Sequence, residues 1–111
     1  MTDPNRPPPG DDGAAAAAAN PDMIALRRRI DALDARLVAL LGERTRLIDR
    51  AAQIKLAAGL PARIDSRVEE VAANVRRLAA DEGADPDLAE AVWRLMMQHF
   101  IDREARVLDG A

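Results

Sequence analysis

The chain of 111 residues has no cysteine and no tyrosine, and only one phenylalanine, one tryptophan and one histidine. Without thiols there is no disulfide framework and no cysteine nucleophile, and a lone imidazole, His99, excludes nearly every familiar zinc site. His99 sits beside Met96 and Phe100 in a helical pattern and reads as a packing residue rather than a catalytic one. The scarcity of aromatic rings argues against a base-stacking surface. A net charge of −3 and a pI near 5.1 supply no long-range attraction for nucleic acid or an anionic membrane. The local clusters Arg27–Arg28–Arg29 and Arg76–Arg77 are interspersed with acids and read as solvated helix faces. No apolar run approaches the roughly 18 residues of a membrane span. Phosphate loops, nucleophile elbows, dinucleotide fingerprints, metal-ligand clusters and internal repeats are also missing, so no cofactor and no metal are expected.

What is present begins with an arm. Residues 1–21 hold five of the seven prolines, Asp11, Asp12 and a run of six alanines, the composition of a disordered segment. The arm lacks Leu, Ile and Val and carries acids where a secretory signal has cations, so a cytoplasmic location is expected. Residues 22–111 read as one all-α domain of three helices. The first runs from Met23 to about Ala58, roughly 36 residues and ~54 Å long. Asn20 or Asp22 caps it around Pro21, and Gly59 with Pro61 ends it. Ser66 to Glu69 spells a capping box for a second helix with apolar positions Val68, Val71, Val75 and Leu78, which stops at Gly83. Asp85 and Pro86 start the third, which reaches about Leu108. A first helix longer than a domain of this size is wide cannot bury its apolar line within one chain, so a homodimer is expected.

Four cations and one acid stand out along the helices. Leu26, Ile30, Leu33, Leu37, Leu40, Arg44, Leu47, Ala51 and Ile54 follow at four- and three-residue steps, the spacing of a packed seam, and one of them is an arginine. Arg44 and Lys55 lie eleven residues apart and share a face, ~16 Å apart, whereas Arg27 points ~100° away from Arg44. A guanidinium in a packed interior is costly unless an anion meets it, so Arg44 either marks an internal anion site, or snorkels out, or pairs with a neighbouring Glu. Arg67 falls in the first turn of the second helix, unfavourable against the helix dipole, and therefore either lies on the surface or has an anionic neighbour. Glu104 follows Trp93, Met97 and Phe100 on one line of the third helix. It is either an exposed partner of Arg103 or Arg106, or a buried polar group.

The residues Leu26, Arg27, Ile30, Asp31, Leu33 and Asp34, then Leu40, Leu41, Glu43 and Arg44, then Ile54 and Lys55, resemble the all-helical, type II chorismate mutases across residues 23–108. The resemblance implies an intertwined helical homodimer that rearranges chorismate to prephenate in phenylalanine and tyrosine biosynthesis, acting without a fused partner domain. It implies substrate binding by Arg27 donated across the interface, and by Arg44, Lys55, Arg67 and Glu104 of the chain that supplies the rest of the pocket. Of these, Arg44, Lys55 and Glu104 carry catalysis, and Glu104 faces the substrate's ether oxygen, to which it can donate only when protonated. The chain departs from the family where Ile64 and Val68 replace acids and Phe100 replaces a small polar residue. Loss of the hydroxyl-holding acid also resembles two sister activities, isochorismate-pyruvate lyase and 4-amino-4-deoxychorismate mutase. A non-catalytic helical dimerisation module is the alternative outside the enzymes.

Overall fold

Helical spacing in the sequence becomes helix in the computed structural model, which describes residues 12–110. Among them are four α-helices and no strand: α1 (Ala14–Ala19), α2 (Pro21–Ala58), α3 (Asp65–Asp81) and α4 (Pro86–Asp109). None is long and apolar enough to cross a membrane.

The helix beyond the expected three lies in the N-terminal arm. Asp12 Oδ1 accepts from the Ala14 N–H at 3.0 Å, and Gly13, at φ 87°, turns the chain into the alanine run. Alanine has the highest intrinsic helix propensity, so this one cap starts a turn that composition alone reads as disordered. Residues 1–11 of the expected arm lie outside the described residues. Asn20 ends α1 in an extended conformation, and its Oδ1 accepts from Met23 N at 3.1 Å, capping α2. Pro21 then occupies the first position of α2, two residues before the expected start, where its missing N–H leaves no bond unmade.

The chain divides into two compact units inside α2, after Leu41. In the N-terminal unit no described residue is buried. Leu26, Ile30, Leu33 and Leu37 form an apolar line about half exposed, at 48, 47, 51 and 55%.

The unit from Gly42 contains the last part of α2, with α3 and α4 packed on each other. On α3, Val68, Ala72, Val75 and Ala79 are buried at four-, three- and four-residue steps, and Met97, Phe100 and Glu104 answer from α4. Val68, Ala72 and Met97 form the centre, with Val71, Trp93 and Ile101 against it. The Ala and Val side chains of α3 let the helices approach closely but make a thin core, and among the described residues no large side chain is fully buried. Arg94 grips Glu69 through two bonds of 3.2 and 3.0 Å, setting α3 against α4. Arg103 does the same to Asp49 at 2.8 and 3.0 Å, tying α4 to α2.

The helix ends place the connecting link. Gly59, at φ 69°, adopts the left-handed conformation that ends α2, and the Leu60 N–H returns to the Lys55 carbonyl at 2.9 Å. The start of α3 differs from the capping box read at Ser66. The cap residue is Ile64, whose carbonyl accepts from Arg67 and Val68 N–H at 3.0 and 3.1 Å without a side-chain cap, so the helix is already under way at Asp65. The expected cap at Asp85 holds, its carboxylate accepting from Asp87 N at 2.9 Å.

Candidate active site

Four-and-three spacing gives each helix one face toward a common space. From α2 come Arg44, Ile48, Ala51 and Lys55, and from α4 come Met97, Phe100, Ile101 and Glu104. Arg67, Val68 and Val71 of α3 close the third side, with Ala62 and Ile64 from the link. Together they enclose a cavity of about 240 Å³ built entirely from the unit that begins at Gly42.

At one end, Lys55 Nζ donates to Glu104 Oε2 at 2.6 Å and to the Ala62 carbonyl at 2.7 Å. Glu104 is only 4% exposed. Of the two readings open for it, the buried one holds, and Arg103 pairs with Asp49 instead. A charge taken from water at this depth needs a partner, and Lys55 supplies both the charge and the hydrogen bond.

Arg44 has no such partner. Its guanidinium lies 5.5 Å from the centre of the Phe100 ring, a cation–π contact. One nitrogen, Nη1, is buried without a hydrogen-bond partner among the described residues. Burial first, and then the like charge of Arg67, lower its pKa from the ordinary guanidinium value. Both causes disfavour the cation, and an anion beside the guanidinium would offset them. Arg44 therefore neither snorkels clear of the interior nor pairs with a neighbouring Glu.

Arg67 combines its two readings. It borders the cavity, yet its side chain is largely exposed and pairs with Glu70 one turn along α3. Arg27 belongs to the N-terminal unit, where it is exposed on α2. Ile64, Val68 and Phe100, the three departures in the sequence, all line the cavity and give it an apolar wall.

Some contributors carried no sequence signal. The Ala62 carbonyl is a backbone group in an irregular link, and the contact of Arg44 with Phe100 depends on how α2 lies against α4. The face Arg44–Ile48–Ala51–Lys55, by contrast, is periodic and readable from spacing.

An all-α unit that sets a half-buried guanidinium with one buried, unbonded nitrogen and a lysine–glutamate pair in one apolar-walled cavity has the charge and donors suited to a small organic anion. Sequence comparison makes this specific. The family chorismate mutase type II matches residues 26–105, and the chain belongs to this family, whose members are isomerases. It is also 24% identical over 74 residues to a chorismate mutase of Methanocaldococcus jannaschii, covering 67% of this chain and 75% of that protein. The matched segment contains Arg27, Arg44, Lys55, Arg67 and Glu104.

Proposed function

We propose that the protein converts chorismate to prephenate, on the route to phenylalanine and tyrosine. In this intramolecular rearrangement the ether C–O bond breaks as a C–C bond forms, and no proton, electron or leaving group is exchanged with the protein. The chemistry requires the dianion to be folded into a reactive shape and a positive group beside the oxygen that gains negative charge. Arg44 presents a planar fork to one carboxylate. Lys55 donates to the ether oxygen, its ammonium held in place by Glu104 and the Ala62 carbonyl. Arg67 adds positive charge at the rim.

The observation that carries this reading is the buried, partnerless Arg44 Nη1 in the same cavity as Lys55. A homodimer completes it: the line Leu26–Ile30–Leu33–Leu37 is an apolar seam left half exposed among the described residues, and Arg27 on the same helix would reach the second carboxylate in the partner's cavity.

The apolar side chains of Ile64 and Val68 favour a second reading, isochorismate-pyruvate lyase or 4-amino-4-deoxychorismate mutase on the same scaffold. Purified protein supplied separately with chorismate, isochorismate and the amino analogue decides. Prephenate from chorismate as the fastest reaction is the expected result. Pyruvate released from isochorismate, or faster turnover of the amino compound, would replace it with the corresponding sister activity.

A further inference from the structure

The cavity is unequal in its polar groups. Three cationic side chains face it, but among the described residues that line it only Glu104 has a side-chain carboxylate, amide or hydroxyl. Glu104 and the Ala62 carbonyl both accept from the same Lys55 ammonium, at the cationic end. The carbonyl of Ile64, the other link residue that lines the cavity, accepts from the Arg67 and Val68 N–H groups of α3. The wall formed by Ile64, Val68, Val71 and Met97 contains nothing that accepts a hydrogen bond through a side chain, apart from the weak thioether. Val68 and Met97 belong to the packed centre of the unit, so this wall cannot readily turn a polar group inward.

We propose, resting on the reading of the cavity as a site for an enolpyruvyl cyclohexadiene dianion, that it selects its occupant by negative charge and shape and does not inspect the ring hydroxyl. A site built to bond a hydroxyl rejects the analogue lacking it by about 10⁴–10⁵, whereas an apolar pocket distinguishes the two by only about 10² and in the opposite direction. A ring hydroxyl against Val68 and Ile64 loses its water and gains no partner. The accepted substrate class therefore includes the deoxy dianions, and Ile64 and Val68 are specificity-determining residues that keep it broad.

The test uses the full-length protein and a pair of unreactive bicyclic dicarboxylates, one bearing the ring hydroxyl and the other hydrogen in its place, titrated calorimetrically. The deoxy compound is expected to bind at least as tightly as the hydroxylated one, or within about tenfold of it. Tighter binding of the hydroxylated compound by more than that overturns the inference, and so does failure of both to bind. In Ile64→Asp, and in Val68→Glu if circular dichroism shows it folded, the preference is expected to move toward the hydroxylated compound by about 100-fold. Ile64 is only half-buried, so its variant keeps the test open if the core position does not tolerate an acid. No movement in either folded variant overturns the assignment to this wall. Turnover separates the two claims: rapid prephenate formation with a strong hydroxyl preference would end this inference alone, and equal binding without turnover would end the proposed reaction alone.

Discussion

Arg44, Lys55 and Glu104 each do something different with a charge. Arg44 holds a buried nitrogen open for an acceptor, Lys55 spends two donors on Glu104 and Ala62, and Glu104 is the counter-ion. Removing one preorganised donor typically removes ~3–4 kcal/mol of transition-state stabilisation. Arg44→Ala and Lys55→Ala are therefore expected to lower kcat for prephenate formation by about 100-fold or more with unchanged far-ultraviolet circular dichroism. Near-parental rates in either would remove that residue from the site. Glu104→Gln keeps an acceptor for Lys55 and adds an N–H donor that does not depend on protonation. With that acceptor kept, its kcat is expected to exceed that of Glu104→Ala, in which the Lys55 ammonium loses the acceptor, and equal rates in the two variants would contradict a positioning role for Glu104. All three positions were legible as polar residues on apolar helical lines. Which reading of each applied was not, because burial depends on what the neighbouring helices bring.

Each element is held by devices of different strength. The Asp85 cap satisfies an N–H at the start of α4, and Asp85→Ala is expected to cost about 1 kcal/mol, read as a drop of about 5 °C in the thermal midpoint. The Asp49–Arg103 pair joins α2 to α4, and the hydrogen bond from Arg103 holds the Asp49 carboxyl below its ordinary pKa. A depressed folded-state pKa means that the pair's stabilisation is fully present above the unfolded value of about 3.9 and is lost as pH falls through the folded one. Asp49→Asn should thus melt below the parent at neutral pH, with the two curves converging in acid. A gap that persists at low pH would assign the effect to packing instead. The third helix start was read correctly because Asp-Pro is a local signal. The second was displaced from Ser66 because the Ile64 carbonyl, set by the path of the link, accepts the first helical bonds.

Across the whole molecule the apolar accounting is unbalanced. The core from Gly42 onward is mostly Ala and Val, and the N-terminal unit leaves Leu26, Ile30, Leu33 and Leu37 half exposed. Burial of such side chains is worth about 1.5–3 kcal/mol each when complete, so a second copy is the economical cover. Sedimentation is expected to give a dimer, and Leu33→Glu combined with Leu37→Glu a monomer without turnover. A fully active monomer would refute the shared site. Mixing Arg27→Ala chains with Arg44→Ala chains supplies a sharper check. Each mixed dimer would hold one site with both arginines and one with neither, so random re-assortment of two inactive proteins should restore about a quarter of parental activity. No recovery would mean that Arg27 serves its own chain or none.

By itself the sequence determined the all-helical class, the boundaries of α2 and α4 to within about two residues and the faces on which Arg44, Lys55 and Glu104 lie. These follow from local propensity, capping and a 3.6-residue period, all written along the chain. Tertiary structure alone decided that Glu104 meets Lys55 and not Arg103, that the Ala62 carbonyl shares the ammonium, and that Arg44 is left over Phe100 with a nitrogen unbonded. Those outcomes join residues 7 to 49 positions apart in the two hydrogen bonds to Lys55, and no periodicity of a single helix records which faces of different helices will meet.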